Sequence, residues 1–406
     1  MCPILAVLSK GISFMFARFR NARNPMARIF AFMSLIWVAA CEPVGVTQPT
    51  NVGGEPQAEA GVQVALLVPG GSGSSSDELV ARNLENAARL AIADLNGPDI
   101  RLRVYNTGGS PALAANVARQ AVNDGAKIIL GPLFGEAANA AGVAVADRNV
   151  NVLAFSNNPT IAGGNVFILG ATFGNTANRL IQYGSAQGLT RYHIVHAQDP
   201  GAIIGRDAIT AAARSSGGEI VGTSSYGFSQ AGITSASPQI ASDVAASGAQ
   251  AVFLTADAGA DLSIIADSLP EAGLAPDSIR YVGLTRWDSA QVAALPGLQG
   301  GLFAMPDQGR NALFANRYAA TYGQSPHPLA GLAYDGIAAI GALVESGGED
   351  GLTRSALTTP QGFQGTSGVF RFLSNGQNQR ALAVATIRNN QVAIVDQAPT
   401  NFRAGF

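Results

Sequence analysis

Val62–Leu95 reads VQVALLVPGGSGSSSDELVARNLENAARLAIADL, and the fold turns on this stretch. Its first seven residues form a nearly continuous apolar run, the length of a strand buried on both faces. Pro69–Ser76 (PGGSGSSS) has the chemistry of a loop. Leu84, Ala87, Ala88, Ala91 and Leu95 then recur at helical spacing within Leu79–Leu95. Asp77 is placed to cap that helix, and Asn96-Gly97-Pro98 to stop it. A strand, a glycine-rich turn and an amphipathic helix in this order begin a βαβ unit.

The alternation spreads outward from there. Ile100–Tyr105, Ala126–Leu130 and Val150–Phe155 read as strands, with helices over Pro111–Asn123 and Glu136–Arg148. Val166–Leu169 reads as a crossing segment. A second series follows, with helices Asn175–Gln187, Ala202–Ser216, Ile233–Ser247 and Leu262–Ala272 between strands Tyr192–His196, Glu219–Tyr226, Ala251–Leu254 and Arg280–Leu284. Strand Gly301–Met305 and helices Ala312–Tyr322 and Leu329–Glu345 come next. Gly368–Phe372, Arg380–Arg388 and Gln391–Val395 alternate like strands, with turns at Ser374-Asn375-Gly376 and Asn389-Asn390, and imply an antiparallel edge. The expected fold is α/β with two lobes, each a mostly parallel, doubly wound sheet flanked by helices. The expected division is lobe one at 62–174, lobe two at 175–300 and a return to lobe one at 301–350. Crossing and C-terminal strands, mainly of lobe two, take 351–396, and 397–406 is a tail.

The chain has 406 residues, 47% hydrophobic and 13% charged, a composition for packed cores rather than disorder. Its formal charge is −2, but the first forty residues carry Lys10, Arg18, Arg20, Arg23 and Arg28 and no acid. Without them 20 basic residues face 27 acidic ones, near −7, which argues against nucleic acid as a partner. Cys2 and Cys41 are the two cysteines, so the body of the chain has neither a disulfide framework nor a thiolate site.

Residues 1–40 read as a signal peptide: Arg28, then the apolar run Ile29–Val38, then Ala39 and Ala40. Met26-Ala27-Arg28 would itself start such a signal, so residues 1–25 are either an over-extended start or a long basic region. Val38-Ala39-Ala40-Cys41 resembles a bacterial lipobox, which implies lipidation of Cys41 and membrane attachment through acyl chains worth about 0.8 kcal/mol per buried methylene. Residues 41–61 then form a flexible tether rich in Pro, Gly, Thr, Gln and Glu. Glu42, where an aspartate acts as a retention signal in some bacteria, points to the outer membrane, within the periplasm.

Several phrases resemble the type I periplasmic binding proteins of the leucine/amide-receptor superfamily. They are the opening strand and its Gly/Ser loop, Gly131-Pro132-Leu133, Asn157-Asn158-Pro159, Tyr318…Tyr322-Gly323 and Ala333-Tyr334-Asp335-Gly336, and they span about 62–396. Within that superfamily the chain is most similar to the penicillin-binding protein activator group of lipoproteins. Gly283-Leu284-Thr285-Arg286-Trp287-Asp288, Gly300–Asp307 and Gly368–Phe372 with Ala381–Val384 carry that similarity. The resemblance implies a non-enzymatic envelope protein with a peptidoglycan synthase as partner. The helical-repeat domain that precedes the binding module in the best-known members is missing here. The alternative is the substrate-binding component of an ABC importer for amino acids, amides or another small solute, with an ABC permease as partner.

Open α/β sheets bind ligands beyond the carboxyl ends of their strands. The candidate cleft therefore takes Gly71, Ser72, Leu133, Phe134, Gly135, Glu136, Ser156 and Asn157 from lobe one. Lobe two supplies Gln198, Asp199, Thr255, Asp257, Thr285, Arg286 and Trp287, and Tyr334 joins from its family phrase. Trp287 is read as an apolar wall and Arg286 as an anion binder. The resemblance also implies that amino-acid receptors hold the ligand carboxylate with a hydroxyl near Gly135 and pair the ammonium with an acid where Thr285 stands. Leucine, isoleucine and valine are therefore disfavoured, unless Glu136 or Asp257 substitutes.

Gly70-Gly71-Ser72-Gly73 is not spaced as a dinucleotide loop, and Asn106-Thr107 supplies no ribose-binding acid. No G-x-S-x-G, H-E-x-x-H or Walker A pattern occurs. Of the three histidines, His193, His196 and His327, the first two flank one strand, point to opposite faces and read as packing or surface residues rather than a metal pair. Neither a catalytic set, a metal nor a cofactor is expected.

Overall fold

The computed structural model describes residues 61–402. The signal peptide, Cys41 and most of the tether lie outside the described residues.

Lobe one begins with β1 (Val62–Val68), α1 (Ser75–Asp94), β2 (Ile100–Asn106), α2 (Pro111–Asn123), β3 (Ile128–Leu130) and α3 (Gly135–Val145). It continues with β4 (Asn151–Ala154) and β5 (Val166–Ile168). The five strands order as β2-β1-β3-β4-β5, all parallel. β1 shows why both faces are covered. Val64, Leu66 and Val68 enter the core under α1, while Ala65 and Leu67 enter the core under α2 and α3. Helix α1 starts at Ser75 with Ser74 as its cap, rather than with Asp77. The Asp77 carboxylate instead accepts the Ser72 hydroxyl at 2.8 Å.

Lobe two contains α4 (Phe173–Ala186), β6 (Arg191–Ala197), α5 (Pro200–Ser216), β7 (Glu219–Tyr226), α6 (Gln230–Ser247), β8 (Ala251–Leu254) and α7 (Leu262–Glu271). β9 (Arg280–Gly283), α8 (Ala290–Ala293) and β10 (Leu302–Met305) follow. The chain then runs through α9 (Gln308–Tyr322), α10 (Ala330–Gly347), α11 (Arg354–Leu357), β11 (Phe363–Gly365), β12 (Gly368–Phe372) and β13 (Asn378–Arg380). It ends with the hairpin β14 (Ala383–Arg388) and β15 (Gln391–Asp396). The second sheet orders as β15-β14-β10-β9-β8-β6-β7, with the hairpin as its antiparallel edge.

Two expected boundaries are corrected. β10 pairs parallel to β9 and belongs to the second sheet, so the return to lobe one starts after Met305 rather than at 301. β11–β13 form a small antiparallel sheet whose Phe363, Phe370 and Phe372 enter the core of lobe one, not of lobe two. Their aromatic side chains pack with Phe167 of β5, and that burial decides their lobe.

Three segments cross between the lobes: β5 to α4, β10 to α9, and β13 to β14. Arg380, on the third crossing, ties it to the first crossing and to α10 from a site 6% exposed. One guanidinium nitrogen lies 3.0 Å from Asp335 of α10, and the other donates to the Leu169 carbonyl. The Asp335 carboxylate also accepts the Thr366 N–H at 2.6 Å. Asn378 donates to the carbonyls of Ile168 and Gly170, and its own carbonyl accepts Asn175 of α4. The chain leaves lobe one at the carboxyl end of β5 and lobe two at the carboxyl end of β10. Both sheets therefore point their carboxyl ends toward the hinge.

Candidate functional site

Lobe one brings Gly71, Ser72, Phe134, Gly135, Glu136, Ser156 and Asn157 to the ends of β1, β3 and β4. Gly71 takes φ +82°, and its N–H donates to Glu78 at 2.6 Å. The exposed Phe134 ring lies over Gly109, where an added Cβ would stand 3.1 Å from it. A Cβ on Gly135 would come within 3.4 Å of the Ser156 hydroxyl and 3.3 Å of Asn158. The Ser156 hydroxyl at the end of β4 is buried and accepts the Asn158 N–H at 3.1 Å. Glu136 and Asn157 are exposed, and Leu133 is half-buried against the lobe-one core.

In lobe two, Gln198 donates to Ser225 at 3.0 Å, and Asp199 caps α5 by accepting the N–H groups of Gly201 and Ala202. The Thr255 hydroxyl is buried without a hydrogen-bond partner. Asp257 is exposed and accepts the Gly259 N–H at 2.8 Å. Thr285 donates its hydroxyl to the Ala256 carbonyl at 2.8 Å. Arg286 is paired with Asp288.

Two expected members lie elsewhere. Trp287 is 0% exposed and sits in the core of lobe two against Phe303, so it is not a cleft wall. Gly283 and Gly301 make its socket: a Cβ at either would fall 2.2 Å or 2.7 Å from the indole. Tyr334 donates to Asp94 at 2.9 Å. Asp94 ends α1, which runs back toward the amino ends of the strands. Tyr334 lines a cavity of about 320 Å³ with Arg310, Phe314 and Thr366, beside the Asp335–Thr366 contact rather than at the strand-end loops. A larger cavity of about 690 Å³, lined by Lys127, Asn151, Asn165 and Arg354, lies at the amino ends of lobe-one strands.

Sequence reading missed the Tyr226–Asp261 pair. The Tyr226 hydroxyl donates to Asp261 at 2.5 Å, and the same carboxylate accepts the Asp257 N–H at 2.7 Å. Burial, reinforced by the Asp261 hydrogen bond, pushes the Tyr226 phenol far above its ordinary pKa. The pair fixes the loop after β8. No local signal marks it, because the partners come from different βα units.

The histidines are engaged within the fold. His193 has its ring nitrogens 2.9 Å from Ser224 and 3.3 Å from Ser247, and His196 donates to the Ala197 carbonyl at 2.8 Å. His327 accepts the Leu329 N–H.

Two doubly wound lobes, joined by three crossings with their strand ends toward a common hinge, define a two-lobed binding protein. A family profile described as periplasmic binding protein matches residues 61–391, and the chain belongs to that family. A comparison with characterised protein sequences finds no match. Among solved structures, a branched-chain amino acid ABC transporter protein from Rhodospirillum rubrum is 17% identical over 83% of this chain and 100% of its own, with a TM-score of 0.69. A substrate-binding protein from Desulfitobacterium hafniense in complex with Leu is 18% identical over 83% and 100%, with a TM-score of 0.58. A solute-binding protein from R. palustris in complex with benzoate is 16% identical over 85% and 98%, with a TM-score of 0.54. At such identities the likeness establishes the fold.

Proposed function

We propose that this chain is a non-catalytic receptor that closes its lobes on a small solute and hands it to an ABC permease. The observation that carries this reading is the convergence of strand-end loops from both lobes on one hinge. The family membership supports it, and so do neighbours described as ABC transporter proteins. Several residues of the phrases that resemble the penicillin-binding protein activator group serve packing. Gly283, Trp287 and Gly301 form the indole socket, and Val369, Phe370 and Phe372 are core.

The proposed solute carries a carboxylate and an apolar body. Helices α1, α2, α3, α5 and α6 all start at strand carboxyl ends, so their positive dipole ends favour an anion there, and α3 among them has no side-chain cap on its first N–H groups. The rim acids are occupied: Asp77 by Ser72, Glu78 by Gly71, Asp199 by α5, Asp261 by Tyr226 and Asp288 by Arg286. A ligand ammonium would find only the exposed Glu136 and Asp257 among the cleft acids named above. Aromatic or aliphatic monocarboxylates are therefore expected to raise the melting temperature saturably, and free leucine is expected to do so weakly. A leucine Kd in the micromolar range, about 8 kcal/mol, would contradict the solute class. Recovery of a peptidoglycan synthase rather than a permease on affinity capture would contradict the importer role. Attachment through Cys41 belongs to the same proposal, and an unlabelled, soluble mature chain after acyl labelling would remove it.

A further inference from the structure

Among the described residues, eight large apolar side chains are exposed: Leu79, Leu113, Phe134, Val143, Ile203, Ile204, Phe228 and Leu313. Scattered singly, such residues call for no explanation. Six of them are not scattered. Leu79, Leu113 and Phe134 stand at the starts of α1, α2 and α3, just beyond the carboxyl ends of β1, β2 and β3. Ile203 and Ile204 stand in the first turn of α5, beyond β6, and Phe228 lies between β7 and α6.

Their order across the sheets is the second observation. The first sheet meets the hinge at β5 and carries β1 and β2 at its other end. The second meets it at β10 and β14 and carries β6 and β7 at its other end. Leu79 and Leu113 on one lobe, and Ile203, Ile204 and Phe228 on the other, therefore line the two rims far from the hinge, and Phe134, beyond the central strand β3, extends the first rim inward. Leu113 and Phe134 are drawn together over Gly108 and Gly109, both at positive φ and without side chains to separate them. All six are 37–56% exposed among the described residues.

We infer that the two rims are halves of an apolar clasp: Leu79, Leu113 and Phe134 pack on Ile203, Ile204 and Phe228 when the lobes close. The occupant of each patch is the other patch. Both are apolar, both lie at the far side of one hinge, and rotation about that hinge moves the far rims through the longest arc. Burying this surface lowers the free energy of the closed state whatever the solute. The inference rests on the hinge and not on the solute class, so the chain closes part of the time when empty.

The test measures distances between spin labels at Asn116→Cys and Gln230→Cys in the full chain, with Cys2 and Cys41 changed to Ser, and without added solute. Both labelled positions are exposed and flank the rims. Two distances are expected, and Ile204→Ser with Phe228→Ser should reduce the short-distance population about tenfold. Val143→Ser, exposed on α3 but off the rim, should leave it unchanged. A single long distance in the parent chain, or a short-distance population that survives the double substitution, would overturn the clasp. Circular dichroism of the double variant establishes that it is folded. If that variant fails to fold, Leu113→Ser with Phe134→Ser on the opposite rim makes the same measurement.

Discussion

Trp287 shows how a residue chosen for a ligand is used by the core. Two missing Cβ atoms, at Gly283 and Gly301, let the indole lie between β9 and β10, with Phe303 at 6.0 Å between ring centroids. Trp287→Ala should cost about 3–5 kcal/mol, because the socket cannot collapse. Urea unfolding will measure it, and a loss under about 1 kcal/mol would place the ring outside the core. His193 offers a second check. Burial depresses its pKa, and Asp243 opposes that shift in part. Its folded pKa lies below the unfolded value of about 6.5, so the unfolded chain takes up the proton first as pH falls. The site's stability contribution is complete above about pH 6.5 and declines as pH falls from there through the folded pKa. Stability of the parent chain should therefore drop more between pH 7 and pH 5 than that of His193→Gln, and equal drops would refute the assignment. At this scale the sequence marks the loops but not the direction of each side chain. Trp287 is apolar and follows a strand end, which suits a cleft wall as well as a core. Only the glycines that pack against it from two strands decide.

At the scale of elements, the alternation of strands and helices was legible because both periods are local. Val62–Val68 needs only its own residues to be read as a buried strand, and Ser374-Asn375-Gly376 to be read as a turn. Sheet membership is not local. Leu302–Met305 is a four-residue apolar run that would suit either sheet, and its ladder with β9 and β14 assigns it. The small sheet β11–β13 was misplaced for the same reason. The hinge partners Asp335 and Arg380 are 45 positions apart, and neither residue announces the other. This buried pair makes the element-level prediction. Arg380→Met alone should destabilise the chain by about 3–5 kcal/mol by leaving Asp335 buried and unpaired, and adding Asp335→Leu should restore part of the loss. Thermal melts of the single and double variants decide it, and additive losses would mean that the two groups do not act as a pair.

At the scale of the whole molecule, the proposed solute site is shared by two lobes that turn about three crossings. A binding surface on one lobe would need only that lobe's loops, whereas a shared site must fail when either is blocked. The direct measurement is calorimetric titration of the best-stabilising carboxylate into the parent chain and two variants, Glu136→Trp at the start of α3 and Arg286→Trp after β9. Both positions stand at strand ends and are exposed. Saturable binding at one site per parent chain is expected, with a loss of at least about tenfold, some 1.4 kcal/mol, in each variant and melting temperatures close to that of the parent before solute is added. Undiminished affinity in either variant would contradict a site held between the lobes.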